Sequence, residues 1–143
     1  MRKGLMFFAL ILLAACNNAT GDPVPPKTAT LNKLIGRWRI TALTLNGAAQ
    51  TQECAIDDEY EFKDNGELFI RFNKGCSGQG DGNTGTYDYE VSEDGRFVTV
   101  SLYTDDKYNK PRDIKELTQT TLRYEYTEEL ARVNNYVVTF RRL

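Results

Sequence analysis

Eight tyrosines, three cysteines and no histidine bound the chemistry open to this 143-residue chain. Without histidine there is no Ser-His-Asp or Cys-His relay and no His-ligated metal site. Acidic clusters occur at Asp57-Asp58-Glu59, Asp105-Asp106 and Glu128-Glu129. Paired carboxylates hydrolyse glycosides only at set separations across a cleft, and solvated strand ends explain these clusters more simply. The stretch GCSGQGDGNTG has no Lys-Ser/Thr and no helix pattern behind it, as a phosphate loop would need. Its Asp81-x-Asn83 opens a calcium-loop spacing that no Glu closes. It reads as a strand connection that could stand at a barrel mouth. No catalytic residue, metal site or cofactor is expected, and the chain does not read as an enzyme. The tyrosines are more suggestive. Tyr60, Tyr87, Tyr89, Tyr124 and Tyr126 share the apolar phase of a two-residue alternation. A buried tyrosine hides its ring but wants a partner for its hydroxyl. These five are therefore the candidate ligand-binding residues of a partly polar interior. The alternative is a core filled by its own side chains, since a small barrel has room for packing or for one small ligand.

The elements that would position these rings are strands. "RWRITALTL" alternates around Trp38, Ile40 and Ala42. "DEYEFKDNGELFIRF" holds two alternating runs about Asp64-Asn65-Gly66, and Asn-Gly suggests a type I′ turn with both central residues at positive φ. "GTYDYEVSEDGRFVTVSLY" repeats the design around Glu93-Asp94-Gly95, "DIKELTQTTLRYEY" turns near Gln119, and "NNYVVTFRRL" ends the chain. The count comes to about eight antiparallel strands, a barrel or a sandwich. Neighbouring positions such as Arg37, Arg39, Glu59, Glu61, Arg71 and Arg123 are polar, so one face is wet and the other dry. The formal net charge of −2 offers no basic patch for nucleic acid.

The amino terminus is different. Arg2 and Lys3 precede an uncharged apolar run from Leu5 to Ala15. The run is shorter than the about 20 residues a bilayer span requires, and it reads as a secretory signal, residues 1–15. Leu13-Ala14-Ala15-Cys16 resembles the lipobox of bacterial lipoproteins. That resemblance implies cleavage before Cys16, acylation of its thiol and new amino group, and a durable membrane anchor. The implied location is the bacterial cell envelope, at the outer membrane. Residues 16–30, with Pro23, Pro25 and Pro26, then read as an extended lipidated tether. The domain follows over 31–143. With Cys16 lipidated, Cys54 and Cys76 remain as an even pair in an oxidising compartment, where a disulfide is expected.

A second resemblance covers most of the chain. "LIGRWRI" looks like the Gly-x-Trp opening of lipocalins, with Gly36 and Trp38 in the matching places. Lipocalins are eight-stranded calyces in which a late Arg packs over that Trp, a part implied for Arg141 or Arg142. Cys54, "DDEYEF", "DNGEL" and Cys76 further resemble the lipocalin-like lipoproteins of Bacteroidetes-type bacteria. The implied fold is all-β, an eight-stranded up-and-down antiparallel barrel, with Gly36, Trp38 and Arg141 or Arg142 closing one end. The implied function is binding of a small apolar or amphipathic ligand at the envelope. The alternative is a solid barrel that docks a protein or glycan.

Overall fold

The structure is a computed structural model, described here over residues 26–50, 55–73, 83–105, 109–129 and 132–143. One helix, α1 (Pro26–Leu34), leads into strands β1 (Gly36–Leu45), β2 (Ala48–Ala49), β3 (Glu59–Phe62), β4 (Glu67–Arg71) and β5 (Thr84–Val91). Strands β6 (Phe97–Val100), β7 (Arg112–Leu117), β8 (Thr121–Glu129) and β9 (Val133–Arg142) complete the chain. Every pairing is antiparallel between neighbours in order, and β1 also pairs with β9 from Trp38↔Arg142 to Leu45↔Tyr136. The sheet therefore closes into the expected eight-stranded barrel, to which β2 adds a two-residue flap on β1. Closure leaves no sheet edge across β1 and β9 to pair with another chain.

Two turn readings change. At Asn65-Gly66 only Gly66 has positive φ, 84°. Gly66 N donates to Lys63 O and Lys63 N donates to Glu67 O, so the hairpin is a type I turn closed by a glycine bulge. The type I′ geometry occurs instead at Asn46-Gly47, with φ of 50° and 81°, where Leu45 faces Ala48. The alternation of β1 also breaks. Ile40 faces Phe140 but Ala42 faces Thr139, so Thr41 is a bulge. Trp38 and Ile40 point inward as expected, Ala42 turns outward, and Leu43 takes the inner place. A second bulge lies between Ile114 and Glu116 in β7.

Helix α1 begins within the stretch read as tether and crosses the 30/31 boundary, so residues 26–30 pack with the domain. Pro26 occupies its first position, where the missing N–H costs nothing. Leu34 is fully buried and Leu31 packs on the core. Thr30 Oγ1 donates to Gly95 O at 2.9 Å, and Lys27 pairs with Glu93 at 2.7 Å. The helix thus lies across the barrel end that carries the tight hairpins at 63–66, 92–96 and 118–120. Strands β4, β6 and β8 end, and β5, β7 and β9 begin, at the opposite end of the barrel. The core nearest the helix is dense: Trp38, Phe62, Leu68, Val98, Leu122 and Phe140 are at most 1% exposed.

Candidate functional site

Gly36, Trp38 and Arg142 meet at the helix-covered end. Trp38 has no exposed surface, and its indole Nε1 donates to Leu34 O at 2.7 Å. That bond satisfies one of the carbonyls a helix leaves unpaired at its C-terminus. Arg142 lies over the Trp38 ring, 4.2 Å from its centroid. Arg142 Nη1 donates to Ile35 O at 2.9 Å and Nη2 donates to Lys33 O, so its cation also meets the negative end of α1. Gly36 has φ of 130°, and a Cβ there would meet Arg142 Nη1 at 2.5 Å. The Gly-x-Trp spacing therefore puts the absent side chain under the guanidinium and the ring against it. Arg141 does not share this role. One residue along a strand reverses the face, so Arg141 points outward opposite Arg39.

The five candidate tyrosines divide. Tyr60, Tyr124 and Tyr126 come together in the barrel. Tyr60 and Tyr124 each place their rings 5.2 Å from Phe140, and Tyr126 stacks on Tyr136 at 5.0 Å. Burial pushes all three hydroxyls above the ordinary tyrosine range. Tyr89 goes elsewhere: it packs edge-on against Phe62 at 5.0 Å, and its hydroxyl donates to Lys63 O at 2.6 Å. That hydroxyl is committed to the closed-end hairpin and is not available to orient a ligand. Tyr87 is half-buried, and its ring lies over Gly85, where a Cβ would meet it at 2.5 Å.

Sequence reasoning missed the residue that gives this interior its charge. Arg112 opens β7 on the same face as Ile114, opposite Val98 of β6. It is 8% exposed. Its guanidinium stands 5.2 Å from the Tyr126 ring centroid and 5.7 Å from that of Tyr124. Its positive charge opposes the upward push of burial on Tyr60, Tyr124 and Tyr126. The available signal was the phase of "PRDIKEL", which puts Arg112 and Ile114 on one side, had the strand been started one residue earlier.

Asp58 was also misjudged as part of a solvated strand end. It is 5% exposed and accepts from Asn73 N at 2.6 Å, while Asn73 Nδ2 donates to Ile56 O at 2.8 Å. Burial, reinforced by Asp57 and opposed by the Asn73 N–H, raises its carboxyl from 3.8 to about 6. Its neighbour Glu59 behaves oppositely on the outer face. Arg39 at 2.6 Å, then Arg37 at 2.9 Å, hold it below the usual carboxylate range. Cys16, Cys54 and Cys76 all lie outside the described residues.

The cavities bounded by described residues include three that open to the surface, the first reaching Tyr126 and Tyr136. One of about 690 Å³ crosses β7, β8 and β9 and is lined by Lys110, Pro111, Glu125, Thr127, Asn135 and Val137, among others. One of about 430 Å³ lies beside it at Glu90, Phe97, Thr99 and Pro111. The third, about 250 Å³, lies among Arg37, Glu59, Phe69 and Arg71.

A closed antiparallel barrel with a helix and a Trp–Arg pair at one end can be compared with known proteins. Among curated proteins nothing matches the chain. A crystal structure of a lipocalin-like protein from Bacteroides uniformis is similar at 18% identity, covering 78% of this chain and 99% of that one, with a TM-score of 0.49. Bovine odorant binding protein in complex with a selenium-containing odorant is similar at 18% identity, covering 79% of this chain and 72% of that one, with a TM-score of 0.52. The bovine lipocalin allergen Bos d 2 is similar at 15% identity, covering 78% and 73%, with a TM-score of 0.53. At these identities the two bovine structures establish a shared fold. The model of the lipocalin-like domain matches residues 34–124, from the buried Leu34 through β1 and on to Tyr124. That match spans well over half of the chain, and the protein belongs to the lipocalin-like domain family.

Proposed function

We propose that this protein is a lipid-anchored envelope protein whose barrel takes up one small apolar or amphipathic molecule through the end opposite α1. The observation that carries the reading is the interior itself. Tyr60, Tyr124 and Tyr126 meet around Phe140 inside the barrel, bringing aromatic surface for an apolar body and hydroxyls for a polar group to one place. The odorant complex of the bovine neighbour supports the reading by analogy of fold. The closed end is already filled by Trp38, Phe62, Leu68 and Leu122, so a ligand enters from the end opposite α1. Half-buried Phe72, Leu102 and Tyr136 pack against the core and offer apolar contact above it. The test is fluorescence of the neutral probe N-phenyl-1-naphthylamine. Saturable binding by the wild type, weakened in Tyr60→Phe/Tyr124→Phe at unchanged fold, is expected. No saturable binding overturns the reading.

Anchoring rests on the leader and Cys16, and the disulfide on Cys54 and Cys76. The bonds from Asn73 to Ile56 and Asp58 support the disulfide, because they hold together the segments that follow Cys54 and precede Cys76. The groove of about 690 Å³ across β7–β9 favours a second reading, in which that face docks a partner.

A further inference from the structure

We infer that Arg112 is an anion receptor inside the barrel, and that the ligand is a singly charged amphipathic carboxylate of the fatty-acid type, bound head inward. The inference rests on the small-molecule reading above and specifies its chemistry. Arg112 is more than nine-tenths buried, yet its Nε and Nη1 have no hydrogen-bond partner. Among the described residues no carboxylate forms an ion pair with it. The acidic side chains nearby are committed elsewhere. Asp113 and Glu125 pair outward with Lys115 at 2.7 Å each. Asp58 accepts from the Asn73 backbone.

A guanidinium never loses its charge in a protein. Buried charges are almost always paired, because an unpaired one forfeits its hydration. The two tyrosine faces beneath Arg112 contribute cation–π attraction, and the Tyr124 hydroxyl takes one hydrogen bond from the guanidinium, which leaves Nε and Nη1 without an acceptor. An incoming carboxylate supplies that acceptor through charge-assisted hydrogen bonds. One fixed cation matches one negative charge.

Packing sets the direction. On the α1 side of Arg112 the core is closed by Ile40, Leu68, Val98, Leu122 and Phe140, each at most 2% exposed. Toward the end opposite α1 the apolar residues Phe72, Leu102 and Tyr136 are only partly buried. A chain attached to the carboxylate therefore extends from Arg112 toward the open end along these residues.

The experiment is displacement of N-phenyl-1-naphthylamine by three ten-carbon compounds that differ only in the head: decanoate, 1-decanol and decylammonium. Wild-type protein is expected to bind decanoate at least about tenfold tighter than decanol, with decylammonium weakest. Arg112→Met should bring decanoate and decanol to equal affinity, and Arg112→Lys should fall between. Equal binding of all three heads by the wild type overturns the anion receptor and leaves the ligand-binding reading standing. So does a decanoate preference that survives in both variants. If neither the probe nor any of the three compounds binds the wild type, both fall together. The wild-type ranking needs no variant, so a variant that fails to fold does not spare the proposal.

Discussion

At the scale of single residues, this fold depends on a few side chains that join elements distant in sequence. Trp38 is one. It fills the closed end, satisfies Leu34 O and carries Arg142 on its face. Trp38→Ala is expected to cost about 3–5 kcal/mol in urea unfolding, through the cavity it leaves. Asp58 is another, with the opposite pH sense to most carboxylates. Its folded-state value of about 6 lies above its ordinary 3.8, so the native state holds the proton more tightly than the unfolded chain does. Its contribution is fully present below about 4 and is lost as pH rises through about 6. Asp58→Asn keeps an acceptor for Asn73 N and removes the titration. Relative to that variant, the wild type should gain about 1–2 kcal/mol between pH 7 and 4, once solvent screening at the barrel mouth is allowed for. Parallel stability–pH curves for the two proteins would contradict the assignment. Residues of this kind were only partly legible in the sequence. Gly36, Trp38 and a late Arg are recognisable by spacing, whereas Arg141 and Arg142 separate only once strand phase is known. Arg112 is easily passed over because a charged residue at a strand start is ordinarily a solvated one, although its phase with Ile114 marks it as inward.

At the scale of elements, alternation and turn chemistry made most of the barrel readable. Strands β4 to β6, β8 and β9 follow their period-two patterns and β7 does so until its bulge after Ile114, with the hairpins centred near Gly66, Gly95 and Gln119. The failures have a common cause: an extra residue or a missing period. The bulge at Thr41 moves Ala42 out and Leu43 in, and nothing in "RITALTL" marks where a bulge falls. Ala42→Lys should therefore change stability by no more than about 0.5 kcal/mol, and Leu43→Ala should cost about 2–4 kcal/mol. The reverse order would restore the unbroken alternation. Helix α1 escaped notice because its apolar contacts with the core are confined to Leu31 and Leu34, and the prolines before it suggest an extended chain. The Cys54–Cys76 pair belongs to this scale too. A bridge closing a loop of about 22 residues would add about 3 kcal/mol on a chain-entropy model. Mass analysis of non-reduced mature protein should find no free thiol at these two positions, and two alkylatable thiols would exclude the bridge.

At the scale of the whole molecule, a barrel closed at one end holds a charged, aromatic interior, and the leader and Cys16 motivate the proposed anchor. The anchor has its own test: Cys16→Ser should move the protein from membranes to a soluble fraction, and unchanged membrane retention would refute it. The interior carries the functional claim. The sequence supplied its tyrosines, but tertiary placement sorted them, sending Tyr89 to the closed-end hairpin and gathering Tyr60, Tyr124 and Tyr126 with Arg112. The most direct measurement is native mass spectrometry of the protein purified from its own host, compared with the same sample after denaturation. The native mass should exceed the denatured mass by one small molecule, with that molecule released intact on unfolding. Covalent acyl groups would persist in both spectra and so do not confuse the result. Native and denatured masses that agree, in protein taken directly from its host, would contradict the claim that this barrel carries a ligand.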